Sequence, residues 1–452
     1  MQSKKQLSLF DLSMIVVSLV IGMGIFRTPV NVAAKAQIPE LFFLAWIIGG
    51  AVAYCGALIY AEIGSRFPVT GGYYKIFSAC YHPSVAFAVN GIVVLTNAAS
   101  MAGVTLIGAE YLSSVIFPPE MQTDTYRLVI AGVTVLIFFG INLLGLRASS
   151  KTQNVLTIIK ITLVLMLISA IFFGGQVQPV SPVFKTASGG LPVWSDYGRA
   201  LGMCLIAVTF SFAGYTQTIN LGGEVKDAKK IIPKGIKLGL FIIIVLYLLI
   251  NYAYVQVIGF EQLKTAQSIA SILAGKIFGP AGFTILSAVI FLSVLGYVNV
   301  NLLSNPRAMF AMGEEKALPA VFARKNKKTD VMVVSLTTFT ALVLITLFFA
   351  QTFDKILNYT IILECIGTAS SAATLFILRK KTAHIDQDSI YTIKWYPLIP
   401  ILFISFFIFV GVSIYQDDPS AAINGLLILV AFIGIYFISR LFNTKENAAN
   451  GD

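Results

Sequence analysis

The sequence predicts an all-α membrane protein with twelve transmembrane helices, of which helices 1 and 6 are broken. Three observations lead there. Of 452 residues, 57% are hydrophobic and only 12% are charged, whereas soluble domains carry roughly 25% charged residues. Apolar runs of about 20 residues recur along the whole length, each long enough to cross a bilayer. Two of these runs are interrupted where a helix should be continuous, at Ile21-Gly22-Met23-Gly24-Ile25-Phe26 and at Phe210-Ser211-Phe212-Ala213-Gly214-Tyr215-Thr216.

The spans are placed at roughly 10–35, 39–66, 84–116, 126–146, 152–174, 197–224, 235–258, 282–312, 330–351, 355–379, 396–416 and 420–442 from run length and apolarity. Connections between them are short, so residues 1–442 read as one transmembrane domain, with a cytoplasmic tail at 443–452. Lys and Arg set the orientation. With both termini inside, 23 of the 32 fall in cytoplasmic segments; Lys35, Arg127, Lys185, Arg199, Lys264, Lys276 and Lys355 fall outside, and Arg27 and Lys160 lie within spans. Such a bias is the mark of cytoplasmic loops. The net charge of +11 is therefore read as membrane anchoring, and no nucleic-acid partner is expected. Lys4 and Lys5 precede an apolar run that continues into the first break, so no cleavable leader is expected. The expected location is the plasma or inner membrane, with the lipid bilayer as a partner.

Cys55, Cys80, Cys204 and Cys365 are dispersed, and His82 and His384 fall in loops. That pattern supports neither a metal site nor a disulfide framework. No cofactor and no enzymatic step is expected.

Both breaks are costly. A glycine inside a helix costs about 1 kcal/mol relative to alanine. Non-helical backbone at membrane depth persists only where protein or a water-filled cavity covers it. Two glycines one residue apart, followed three residues later by Arg27, therefore mark a cavity, and in transporters such breaks hold substrate and ions. Span 1 runs inside to outside and span 6 the reverse. Broken helices five spans apart and opposite in direction predict an inverted five-plus-five repeat. Spans 1–5 would cover about 10–174 and spans 6–10 about 197–379, with spans 11 and 12 (about 396–442) outside the repeat. The plainer role for the glycines is close helix packing.

The same residues carry a family resemblance. Ile21 through Pro29 resembles the I-G-S-G-I-F-x-x-P of the amino acid–polyamine–organocation permeases, with Met23 where serine is usual. Phe210 through Glu224 to Pro233 resembles their F-A-Y-G-G-W-N pattern and the acidic residue after it. Pro68 with Gly71-Gly72-Tyr73 resembles P-x-x-G-G-x-Y, and Asn305-Pro306-Arg307 through Leu318-Pro319 resembles S-S-R…G-x-L-P. These motifs cover most of spans 1 to 8. The chain is similar to L-type amino acid transporters and, more distantly, to arginine–agmatine antiporters. The resemblance implies a leucine-transporter-like fold that carries amino acids by alternating access. Met23, and Tyr215-Thr216 in place of a tryptophan–asparagine pair, depart from the family pattern at positions that bear on affinity and selectivity. Animal L-type transporters are bridged to a glycoprotein through a cysteine after span 3. Phe117 to Tyr126 holds no cysteine, so no disulfide-linked glycoprotein partner is expected.

The expected substrate site follows from the breaks. Amides of Gly22, Met23, Gly24, Ile25 and Phe26, at the start of a half-helix, suit a carboxylate. Carbonyls of Val20, Phe210, Ser211 and Ala213 would receive the ammonium, with Ile21, Gly214 and Thr216 beside them. Phe210 matches the family aromatic that closes over substrate; its plainer role is packing. Lys160, about 12 Å into span 5 at 1.5 Å per residue, matches a family lysine. Its ammonium would stand in for the sodium ion that ties spans 1 and 8 in related symporters; its plainer role is to snorkel to the interface. Glu224 reads as an interfacial salt-bridge partner.

Arg27 and Glu364 are charges inside apolar spans, where charges are rare and usually paired. Relatives that carry neurotransmitters with sodium place an arginine and an acid similarly across the outer entrance. Arg27 and Glu364 are therefore expected to form an outer gate that is closed in occluded and inward-facing states and separates when the protein opens outward. Glu110 is the competing partner of Arg27, a proton site the competing role of Glu364, and a static helix-anchoring pair the plainer role. The expected function is sodium-independent transport of small or medium neutral L-amino acids by exchange, since no fixed charge stands near Tyr215 or Thr216 in the sequence. Proton-coupled uptake, and a permease for cationic amino acids or polyamines, remain open. A channel would need a ring of selectivity groups instead of two asymmetric breaks.

Overall fold

The computed structural model describes residues 6–22, 24–173, 194–266, 269–348 and 350–449, with no account of the side chains of 119, 350–361, 387 and 438–449. Met23, Lys4, Lys5, Lys185 and the last three residues of the predicted tail lie outside the described residues, and so do the side chains of Lys355 and Lys445. The helices in chain order are α1 Leu9–Val20, α2 Gly24–Ala36, α3 Pro39–Arg66, α4 Gly72–Cys80, α5 Pro83–Ile116, α6 Asp124–Leu143, α7 Leu146–Ile168, α8 Trp194–Phe212, α9 Ala228–Ile258, α10 Phe260–Leu263, α11 Ile269–Phe278, α12 Gly282–Glu314, α13 Val333–Phe348, α14 Ala350–Lys381, α15 Leu398–Asp417 and α16 Pro419–Ala449. Among the described residues β-pairing is limited to two isolated bridges, Leu7 with Val225 and Thr70 with Leu221.

Ten helical segments are long and apolar enough to cross a membrane, and α1 with α2, bent by 45°, makes an eleventh. The 16-residue apolar α13 takes the place of the predicted span at 330–351. The order of elements is thus the expected one, and the chain is a multi-pass membrane protein. The clearest boundary difference is at α9, which begins seven residues before the predicted span. Its first turns carry Lys229, Lys230 and Lys234 and contain Pro233. A proline has no N–H for the carbonyl four residues back, here Lys229. Ser65 Oγ of α3 donates to that carbonyl at 2.8 Å, so the helix continues through the proline.

Ends and starts follow local chemistry. Ser8 caps α1: the Asp11 N–H donates to Ser8 Oγ at 3.2 Å and the Ser8 N–H to Asp11 Oδ2 at 2.9 Å, a reciprocal capping box. Prolines open α3 and α5, where a missing N–H costs nothing. Arg379, Lys380 and Lys381 close α14, the favourable end for cations.

Two groups of helices pack around the breaks. One holds α1, α2, α3, α8 and α9; the other holds α5, α6, α12 and α13, which enclose their own apolar cluster around Val94, Met101, Val135, Val294 and Phe339. Gly71 and Gly72 let α4 wedge between them. Gly71 has φ +68°, and a Cβ there would meet Arg307 O at 2.5 Å; one on Gly72 would meet Ile219 O at 2.4 Å. Only glycine adopts that conformation at so close an approach without strain.

Candidate functional site

α1 stops at Val20 and α2 starts at Gly24. The first N–H groups of a helix have no intrahelical acceptor, so the first-turn amides of α2, from Gly24 onward, are presented at the break. Gly22 differs from expectation: its N–H donates to Val20 O at 2.8 Å. Its Cα faces the Tyr297 ring, 3.8 Å from where a Cβ would stand. Met23 lies outside the described residues.

α8 stops at Phe212, Ala213 and Gly214 form a turn, and a 3-10 helix runs from Tyr215 to Asn220. Gly214 has φ +104°, and a Cβ there would lie 2.6 Å from Leu19 O, so a left-handed glycine lets the second break touch the end of α1. On the other side a Cβ on Gly24 would stand 3.4 Å from Ser211 Oγ. The two breaks therefore abut, with the end of α1, the start of α2 and the end of α8 in contact.

α9 braces this junction in a way the sequence reading missed. The Tyr247 hydroxyl lies 3.2 Å from Val20 O and 3.3 Å from Ser211 O, and donates across both breaks. Two of the carbonyls expected to receive an ammonium thus already share a donor, and Phe210 O accepts from Ala213 N–H at 3.2 Å. Tyr254, two turns further, donates to Ile25 O at 3.4 Å. That carbonyl lacks its helical donor because residue 29 is proline. A signal existed: two tyrosines seven apart on an apolar helix share a face, and a buried tyrosine hydroxyl seeks a partner.

Lys160 is fully buried and does not reach an interface. Its Nζ donates to Ile21 O at 2.6 Å, to Ser18 Oγ at 3.2 Å and to Ser18 O at 3.4 Å. Ser18 Oγ in turn donates to Gly296 O of α12 at 3.3 Å. The ammonium thus sits between the frayed end of α1, α7 and α12.

Phe210 is 44% exposed beside the second break, whereas Ser211 is buried and Ala213 half-buried. Thr216 lines a small cavity together with Gly49 and Ala53 of α3, Thr209 and Phe212 of α8, Glu364 and Thr368 of α14, and Phe403, Phe406 and Phe407 of α15. This corrects one expectation: an ionisable group does stand beside Tyr215 and Thr216, and it is the carboxyl of Glu364. Packing of α14 against the second break brings it there, across about 150 residues of chain that local sequence does not connect. Arg27 is exposed, Glu364 lines this cavity, and among the described residues neither takes part in an ion pair, as the expected gate requires when it stands open. Glu110, the alternative partner, lies 3.7 Å from Arg127.

Two buried charge clusters sit at the other end of the helices. Glu224 accepts from Arg307 Nε at 2.9 Å and Nη2 at 2.5 Å, and its backbone carbonyl accepts from the N–H groups of Gln6 and Leu7. Glu62, fully buried, accepts from Arg66 Nε at 2.7 Å, from Arg379 Nε and Nη2 at 2.8 and 2.7 Å, and from the Ile393 N–H at 2.8 Å. The i,i+4 spacing of Glu62 and Arg66 was a readable signal. Among the described residues no group of His, Cys, Asp and Glu could hold a metal ion.

The profile of the amino acid permease family matches residues 7–439. The serine/threonine exchanger SteT of Bacillus subtilis is 28% identical over 443 residues, covering 96% of this chain and 95% of its own. The large neutral amino acids transporter small subunit 2 of Homo sapiens is 24% identical over 98% of this chain and 82% of its own, and the Asc-type amino acid transporter 1 of Homo sapiens 22% over 99% and 84%. Its helices, its two abutting breaks and a match over nearly its entire length agree: the chain belongs to the amino acid permease family.

Proposed function

We propose that this permease exchanges small or medium neutral L-amino acids across the plasma membrane by alternating access, without sodium. The observation that carries the reading is the contact between the two breaks, Gly24 against Ser211 and Gly214 against Leu19 O. It gathers the amides of an α-helix start and the carbonyls of two helix ends in one place. A substrate carboxylate suits the amides of Gly24 to Phe26, and an ammonium suits the second lone pairs of the Val20, Ile21, Ser211 and Ala213 carbonyls. Lys160 supports sodium independence, since its ammonium already meets Ile21 O and the Ser18 oxygens. Phe210 serves as the lid and is open here. Relatives named as an exchanger and as transporters of neutral amino acids support exchange and a neutral substrate. Both termini are placed in the cytoplasm by the Lys and Arg bias, and no cysteine between Phe117 and Tyr126 offers a bridge to a glycoprotein.

Counterflow in proteoliposomes tests the reading. Vesicles loaded with unlabelled amino acid should accelerate entry of the labelled one, equally with sodium or choline outside. Uptake without trans-stimulation, or uptake that needs a sodium gradient, contradicts it.

A further inference from the structure

Glu364 is unusual twice over. A charge inside a membrane helix is costly and normally paired, yet among the described residues Glu364 has neither an ion pair nor a hydrogen bond. It is nonetheless reachable, because it lines the cavity beside the second break. The hydroxyls of Tyr60, Tyr73, Tyr215 and Tyr297 lie within electrostatic reach. A second polar group on the same wall is also unsatisfied: Thr209 Oγ1 is buried without a hydrogen-bond partner. Glu364 and Thr209 thus line one cavity with no hydrogen-bond partner among the described residues, and polar groups so placed call for a ligand that fills both.

We propose that Glu364, with Thr209, forms the side-chain subsite of the transporter and selects substrates whose side chain donates a hydrogen bond, a hydroxyl or an ammonium, over aliphatic side chains of the same shape. The inference rests on the exchange reading above and, for a side-chain ammonium, widens its substrates beyond the neutral amino acids. An ionised carboxylate only accepts, whereas a threonine hydroxyl both donates and accepts. A substrate hydroxyl can donate to Glu364 while accepting from Thr209; an ammonium donates to both. An aliphatic side chain leaves both groups unpaired, and sites built around buried polar groups reject such isosteres strongly. Phe403, Phe406 and Phe407, which line the same cavity, suit the methylenes of the side chain.

The test is competition against labelled alanine exchange in proteoliposomes, using the isosteric pairs threonine with valine and ornithine with norleucine. In the wild type the donor-bearing member of at least one pair should compete about ten-fold better or more, the range of a hydrogen bond to a charged group. The pair that shows the preference tells hydroxyl from ammonium. In Glu364→Leu the preference should fall to about one, and Thr209→Val, which keeps the carboxylate, should lose part of it. Glu364→Gln, still an acceptor, should fall between. Equal loss for both members of each pair shows a structural role and overturns the proposal. An unchanged preference with a flattened pH profile shows a proton site and overturns it as well. Failure of the underlying reading is seen separately, as wild-type vesicles without trans-stimulation by any amino acid; wild-type exchange without donor preference overturns the subsite alone.

Discussion

Lys160→Met is the sharpest probe of the first break. Methionine keeps most of the length and fills the same buried space, but it offers no donor. Ile21 O then loses its 2.6 Å bond, and Ser18 loses the two longer ones at 3.2 and 3.4 Å. A hydrogen bond from a charged donor is worth about 1.5–3 kcal/mol. Removing the buried ammonium also removes its desolvation cost, which offsets much of this in overall stability. The two effects act on different quantities: Tm should change by only a few degrees, while the end of α1 loses its fixed position. If about 2 kcal/mol of that positioning is lost to substrate binding, affinity falls about 30-fold. Ser18→Ala keeps the Ile21 bond and loses the link to Gly296 O, so it should cost about 1 kcal/mol, or about five-fold. The assay is the concentration dependence of exchange in sodium-free proteoliposomes, read beside a thermal melt in detergent. Exchange by Lys160→Met at wild-type affinity, or its rescue by sodium, would refute the reasoning.

Tyr254→Phe strands Ile25 O, whose helical donor is replaced by Pro29, and should lower stability by about 1–3 kcal/mol; Pro29→Ala restores an N–H, so the tyrosine should matter less in that background, as a double-mutant cycle of melting temperatures will show. Gly24→Val directs two methyl groups toward Ser211 Oγ and Thr28 Oγ1, which lie 3.4 and 3.7 Å from the Cβ position; the protein should fold and reach the membrane but show no exchange. Glu62→Gln removes the buried carboxylate that Arg66 and Arg379 share, and the melt should register a loss of about 3–5 kcal/mol.

How much the sequence disclosed depends on the range of each interaction. Span order, the two breaks and the depth of Lys160 were legible because hydropathy, glycine spacing and burial act over a turn or a span. The bonds of Tyr247 and Tyr254 were not, because they join α9 to carbonyls more than 200 residues earlier, and no local pattern names the partner. The same holds for Glu364. Its charge was conspicuous, but only the packing of α14 beside the second break shows that it lines one cavity with Thr216. Glu224 was noted as an interfacial acid, yet Arg307, already part of a quoted motif, was not recognised as its partner. Paired charges from distant helices look like two solitary charges in a sequence.

The cross-links between the two helix groups are unevenly distributed, and this bears on alternating access. At the end carrying Glu224, the pair with Arg307 joins the turn after the second break to α12, and Asn154 of α7 donates to Asp11 of α1 at 2.6 Å. Nearer the middle, Lys160 and Ser18 join α1 to α7 and α12, and Ser304 of α12 donates to Gln217 O at 3.2 Å. At the opposite end, Phe210 and Arg27 are exposed, and the Glu110–Arg127 pair links α5 to α6 inside one group. Among the described residues no ion pair joins the groups there. Cores and interfaces switch between discrete packings, so a rocking motion can proceed only by exchanging one set of cross-links for another. In the proposed orientation the linked end is cytoplasmic, and this arrangement corresponds to the site open to the outside. Opening inward must then separate Glu224 from Arg307, both nearly buried. Water entering that end would solvate the two charges as they part and lower the cost of separating them. The ammonium of Lys160, by contrast, is fully buried between α1, α7 and α12, so its bonds should hold through the cycle and make it the pivot.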